Sequence, residues 1–203
     1  MVFNLIIVAI ISIIIFILLK QRNHYSKLNL GEKEVSKILS EIKGYKLLND
    51  VMIKGENGTS QIDHILIGKK GIFVIETKDY SGEIYGEEYS RYWTQSINKR
   101  KNKFYNPIRQ NYGHIKALER YLKRSDIFIS VIVFTNKSEL KKINSETPVI
   151  QLRKLKRFIR KYKSDIRLSK EEVREIYDYI RKGNINSFIA RKKHVKRIIK
   201  NIS

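Results

Sequence analysis

Cysteine is absent from this 203-residue chain, proline occurs twice and tryptophan once. The lack of cysteine removes any disulfide framework and any thiolate zinc site. No internal repeat and no low-complexity linker is present. Acidic residues are scarce: 20 Asp and Glu stand against 42 Lys and Arg, a net charge of +22. The imbalance is steepest in residues 151–203, with eighteen basic side chains against five acidic ones. So basic a surface attracts polyanions, either nucleic acid or the anionic inner leaflet of a membrane. A composition heavy in Lys, Ile and Asn accounts for some of the excess, but hardly for that of the last fifty residues.

Basic residues are missing ahead of the first long apolar run. Residues 2–19 (VFNLIIVAIISIIIFILL) hold fifteen Val, Ile, Leu or Phe in eighteen positions. As a helix this run spans about 27 Å, close to the hydrocarbon thickness of a bilayer. A cleaved signal peptide would carry a basic leader and a small-residue cleavage site, and neither is present. The expectation is an uncleaved transmembrane anchor over residues 1–19. Lys20, Arg22 and Lys27 follow it in a basic linker over 20–27, which puts the N-terminus outside and the soluble part in the cytoplasm.

Charge also appears where it is least expected. Residues 61–67 (QIDHILI) and 72–78 (IFVIETK) read as strands, rich in Ile, Val and Phe and bounded by glycines. Gly68-Lys69-Lys70-Gly71 supplies a tight turn. That loop opposes Ile67 to Ile72, Ile65 to Val74, Asp63 to Glu76 and Gln61 to Lys78. Side chains alternate, so Asp63, Glu76 and Lys78 share one face. Ile62, His64, Leu66, Phe73, Ile75 and Thr77 take the other. Both faces are largely apolar, which predicts a sheet covered on both sides. Two opposed carboxylates need a cation or a proton between them. Mg²⁺ or Mn²⁺ suits such hard oxygen ligands. Lys78 can then orient a water or stabilise charge on a phosphate. The plainer alternative is a buried ion pair of Lys78 with Glu76 or Asp63.

Residues 31–43 predict a helix, with Val35, Ile38, Leu39 and Ile42 on its apolar stripe and Gly44 as its stop. Glu32 sits in the first turn on the buried side, directed at the site or simply favoured by the helix dipole. A second helix starts at Asn106-Pro107, an N-cap followed by a proline suited to the first turn. Ile108, Ile115, Leu118 and Leu122 form its core face. Gln110 in its first turn can reach a phosphate or a water, or can serve as a capping or surface residue.

These blocks together resemble the nuclease-related domain (NERD) family, which is similar to the PD-(D/E)XK nuclease superfamily. The resemblance is carried by Gly31-Glu32, Gln61-Ile62-Asp63-His64, Gly71 through Lys78, Gly82, Trp93 and Asn106 through Gln110, and covers roughly residues 28–135. It implies a restriction-endonuclease-like α/β core: a mixed four-stranded sheet flanked by helices. By it Asp63 and Glu76 are metal ligands, Lys78 the catalytic lysine, Glu32 the helix carboxylate and Gln110 a later polar residue of the site. No proline precedes Asp63; Ile62 is there instead.

His64 alternates away from Asp63 and reads as a hydrogen-bonded structural histidine. Trp93, after a loop rich in Gly, Tyr and Glu, reads as packing. Asn98-Lys99-Arg100-Lys101-Asn102-Lys103 is expected as a basic loop near the site, with Lys99, Arg100, Lys101 and Lys103 as contacts to nucleic acid. Residues 127–135 predict a central strand and 149–151 a short one. Beyond 135 a basic, mainly helical segment is expected: helices over 152–162, from the Ser169–Glu172 capping box to Gly183, and over 185–201. The last can pack on the domain, lie on a bilayer or track a nucleic-acid backbone. The expected function is a membrane-anchored, metal-dependent nuclease that cleaves DNA or, as a lesser expectation, RNA. Alternatives are a non-catalytic nucleic-acid-binding module and a membrane-associated scaffold whose basic tail contacts anionic lipid.

Overall fold

The hairpin of residues 61–78 lies at the centre of the structure, a computed structural model that describes residues 30–56, 58–185, 189–190 and 192–194. The expected anchor (2–19), the basic linker (20–27) and most of the last helix (185–201) lie outside the described residues. Among the described residues no helix is long and apolar enough to cross a membrane.

Helix α1 (Leu30–Ser40) leads to β1 (Tyr45–Gly55), β2 (Gly58–Gly68) and β3 (Gly71–Lys78). The helix ends at Ser40, three residues short of the expected end at 43, and Gly44, at φ +86°, lies in the turn before β1. Strands β4 (Gly82–Glu87), β5 (Tyr92–Ile97) and β6 (Arg100–Tyr105) come next, then helix α2 (Pro107–Leu122). The chain continues through β7 (Phe128–Phe134), β8 (Ser138–Asn144) and β9 (Val149–Gln151) into helices α3 (Leu152–Lys161) and α4 (Lys170–Gly183).

The main sheet has five strands in the order β1-β2-β3-β7-β9. Strands β1, β2 and β3 are antiparallel neighbours, while β3–β7 and β7–β9 are parallel. The mixed sheet with flanking helices matches the expectation; the count of four strands does not. A second sheet, β6-β5-β4-β8, also forms where a loop was expected. Its strands escape a reading for apolar runs because only Ile84, Trp93 and Phe104, with Leu140 and Ile143, turn inward. Their other faces are polar and wet.

The β2–β3 register pairs Ile67 with Ile72 and Ile65 with Val74, as expected. Ile65, Leu66, Ile67 and Ile72 through Ile75 are fully buried, so the hairpin is covered on both faces. One face packs with Ala117 and Leu118 of α2 and Val173 and Ile180 of α4. The opposite face packs with Val35 and Leu39 of α1 and Leu152, Leu155 and Ile159 of α3. Alternation breaks once: Ile62, expected beside Leu66, instead joins Ile65 and Ile67 on the α2 side. The break lies beside Asp63, opposite a left-handed Asp50 (φ +52°) in β1.

The basic run is a strand and not a loop. Asn98 and Lys99, at φ +49° and +66°, make a two-residue turn, and Arg100 pairs with Ile97 to start β6. Two positive φ angles match the twist of a hairpin, so the turn extends the ladder. Trp93 packs as expected, its ring parallel to Phe134 with centroids 6.2 Å apart.

Candidate carboxylate–lysine site

The β2–β3 ladder stops at His64–Ile75, short of the Asp63–Glu76 pairing drawn from the sequence. Beyond that point Asp63 replaces a ladder bond with its side chain: the Thr77 N–H donates to Oδ2 at 2.8 Å. Strand β3 runs on beside β7, where Glu76 pairs with Ile132 and Lys78 with Phe134. Alternation puts Val74, Glu76 and Lys78 on the face covered by α2.

Helix α2 is set by its cap. Asn106 Oδ1 accepts the Ile108 N–H at 2.8 Å, and Pro107 opens the first turn. Asn111, fully buried, donates to the Val74 carbonyl at 2.9 Å and to Ser130 Oγ at 2.8 Å, which fixes the helix's rotation over the sheet. Gln110 is thereby aimed at the strand. Lys78 Nζ donates to Gln110 Oε1 at 2.9 Å and to Glu76 Oε1 at 2.7 Å.

One turn further along α2, His114 Nε2 lies 3.3 Å from Glu76 Oε2, while its Nδ1 meets Ser60 Oγ at 2.8 Å. Glu32 enters from the first turn of α1, half-buried and near Asp50, Glu76 and Lys78. The structure thus gathers Asp63, Glu76, Lys78, Gln110 and Glu32 at one end of β3. The hydrogen bonds and ion pairs described for this cluster involve none of Lys99, Arg100, Lys101 and Lys103. Those four are exposed on β6 and its turn, an outer strand of the second sheet.

Two participants escaped the sequence reading. His114 stands four residues after Gln110, on the same helical face, and that spacing was the available signal. Asp50 falls opposite Asp63 only once the β1–β2 register is known; Gln61 Nε2 donates to its Oδ1 at 2.7 Å.

Burial governs the charges. It would raise Glu76, but the Lys78 ammonium and then His114 outweigh it and hold that carboxyl at about 2. Lys78 is likewise opposed by burial and yet raised, because Glu76 lies against it. Asp63 is pushed well above the usual carboxylate range by burial, then by Glu76 and Glu32. Glu32 rises to about 7 through burial, then Asp50 and Glu76. His64 is pressed down to about 4 by burial, and its Nδ1 bonds Asn49 Oδ1 at 2.8 Å, the structural role its alternation suggested.

The cluster therefore holds more carboxyl groups than Lys78 alone can keep ionised. Among the described residues no three Asp, Glu or His side chains form a ready metal cage. A hard divalent cation needs less, because Mg²⁺ commonly takes one or two carboxylates and keeps several waters. Asp63 and Glu76 offer that donor set; the buried Glu76 Oε2 makes only the 3.3 Å ion-pair contact with His114. The residues present fit such an ion.

A mixed sheet between helix layers, with a lysine bridging a carboxylate and a helix-borne amide, defines an α/β protein with a buried acid–lysine site. The chain belongs to the nuclease-related domain (NERD) family, whose model matches residues 27–135. It is similar to an uncharacterized protein of Bacillus anthracis, 42% identical over 172 residues that cover 82% of this chain and 81% of that protein. It is also similar to the crystal structure of a protein of unknown function, AF1548, at 14% identity and a TM-score of 0.39, over 85% of this chain and 100% of that one.

Proposed function

We propose that this chain is a metal-dependent nuclease that cleaves phosphodiester bonds, in DNA by preference over RNA. The observation that carries the reading is Lys78, whose ammonium is held at once by Glu76 and Gln110 beside Asp63. Binding alone has no use for buried carboxylates, which repel phosphate.

Asp63 and Glu76 would hold Mg²⁺ or Mn²⁺, which when bound supplies a Lewis acid and a bound water of lowered pKa. Lys78 stays protonated and offers positive charge to the phosphate oxygens as negative charge grows on them. Gln110 spends its carbonyl on Lys78, which leaves its amide N–H groups for a water or a phosphate oxygen. His114 braces Glu76 through Oε2 from the helix side while Lys78 holds Oε1, so the carboxylate's orientation is fixed from both sides.

Residues 2–19 are proposed to anchor the protein with its folded part on the cytoplasmic side. The reading is supported by the apolar run and the Lys20, Arg22 and Lys27 that follow it. The eighteen basic residues after 150 support contact with anionic lipid near that surface.

The test is cleavage by the full chain in detergent. Supercoiled, linear and single-stranded DNA and RNA are each offered with Mg²⁺, with Mn²⁺ and with EDTA. Metal-dependent cleavage that is lost in both Asp63→Ala and Lys78→Ala supports the assignment. Cleavage that persists in both sinks it. Tight, salt-sensitive binding without cleavage would make the chain a binding module.

A further inference from the structure

Five tyrosines among the described residues are exposed, and four of them (Tyr89, Tyr92, Tyr105 and Tyr112) lie on the second sheet's rim or on the helix that follows it. Tyr92 and Tyr105 are direct partners in the β5–β6 ladder, their rings 6.3 Å apart and edge to face. By alternation Lys103 and Lys101 continue the same outer face from Tyr105, opposite the small side chains of Thr94 and Ser96. The Arg91 guanidinium lies over the Tyr92 ring, 5.4 Å from its centroid. Basic and aromatic groups thus interleave on one solvent-facing surface.

The surface is rigid and tied to the site. Asn106, fully buried, donates through Nδ2 to the carbonyls of Glu87, Glu88 and Ser90, and its N–H bonds the Arg91 carbonyl. The turn carrying Tyr89 is thereby fastened to the start of α2, and Arg109 Nη1 reaches the Tyr89 carbonyl at 3.4 Å. Gln110, which holds Lys78, is one helical turn beyond Asn106. Carboxylates also lie near the rim: Glu83, on β4 across from Ser96, is paired with Lys141. Glu88 is occupied by Thr147 through both oxygens, which leaves Glu87 as the exposed carboxylate of that turn.

We infer that this face is a platform for single-stranded nucleic acid, whose bases stack on Tyr92 and Tyr105 while Arg91, Lys101 and Lys103 take its phosphates. Paired bases in a duplex hide their faces, whereas unpaired bases offer them to aromatic rings without regard to sequence. The cations complement the backbone of either form, so the tyrosines make the choice between them. The inference rests on the nucleic-acid reading of the carboxylate site and adds the form of strand delivered to it.

The experiment measures binding of the full chain in detergent, with EDTA present so that no metal-dependent cleavage intrudes. The probes are a fluorescently labelled oligodeoxythymidine and a labelled duplex of the same length. The oligomer is expected to lose about tenfold or more in affinity for each of Tyr92→Ala and Tyr105→Ala. Tyr92→Phe and Tyr105→Phe, which keep the rings, retain it, and duplex binding shifts less than twofold in all four. Equal losses for both probes, no loss for either, or no binding of the oligomer by the parent chain would overturn the inference. Tyrosine-dependent binding in a chain that never cleaves would uphold the platform and end the nuclease reading. Cleavage of single strands undiminished in the tyrosine variants would do the reverse.

Discussion

Glu32 is an acid kept near neutrality by its surroundings, and the sign of its effect on stability follows. Its carboxyl rises from 4.5 in an open chain to about 7 in the fold, because burial and the charges of Asp50 and Glu76 oppose ionisation. The folded state therefore holds this proton more tightly than the unfolded state. The stabilisation is complete below about 4.5 and is lost as pH rises through 7. Glu32→Gln should match the parent protein at pH 5 and exceed it at pH 8. The side chain is partly exposed, so the gain is discounted to about 1 kcal/mol. Urea unfolding at the two pH values measures it, and a variant less stable than the parent at pH 8 would refute the electrostatic account. Asp63, Glu76, Lys78, Gln110 and Glu32 could be picked out of the sequence because charge or amide in an apolar strand or first helical turn is conspicuous. Asp50 could not, and His114 offered only its spacing from Gln110. Each becomes a neighbour of the cluster only through a register or a helix rotation, and those are settled by Asn111 and by the β1–β2 pairing.

At the scale of elements, Asn106 joins more parts than any other side chain near the site. Its Oδ1 caps α2 and its Nδ2 holds three carbonyls of the β4–β5 turn. Asn106→Ala removes the cap and leaves those carbonyls short of a donor, at a cost of about 2–4 kcal/mol. Asn106→Asp retains the cap acceptor but sets a buried carboxylate oxygen against those three carbonyl oxygens, so its loss should exceed that of alanine. Chemical denaturation of the three proteins orders them, and an aspartate variant more stable than alanine would show that the three carbonyl contacts contribute little beside the cap. The helix itself was legible, because Asn-Pro is a strong start signal. The strands from Gly82 to Tyr105 were not. They are short and half-buried, and a methyl on Gly86 would overlap the Trp93 indole, so a residue that usually breaks strands is required inside one. The break in alternation at Ile62 was equally hidden, since it depends on the left-handed Asp50 in the neighbouring strand.

For the whole molecule, the family match ends at residue 135, yet the packing continues beyond it. Leu152, Leu155 and Ile159 of α3 and Ile180 of α4 are buried against opposite faces of the main sheet. The β2–β3 turn holds the same segment: Lys70 Nζ donates to the carbonyls of Arg160 and Tyr162, and the Leu168 N–H to the Lys69 carbonyl. In detergent, a chain ended after Thr135 should therefore lack a cooperative unfolding transition, whereas one ended after Ile185 should keep it. Thermal melts followed by circular dichroism decide this. A cooperatively unfolding 135-residue product would show that α3 and α4 are dispensable.

The parallel pairing of β3 with β7 also imposes an order of events in biosynthesis. Strands β2 and β3 pair through a local hairpin as soon as they leave the ribosome. The neighbour that covers the other edge of β3 begins only at Phe128, after the second sheet's first three strands and α2 have been made. Contacts so distant along the chain form slowly. Until then the edge of β3 from Ile72 through Lys78, apolar in its first four residues, stays open to any passing strand. The interval before β7 arrives is therefore when a chaperone would be most needed.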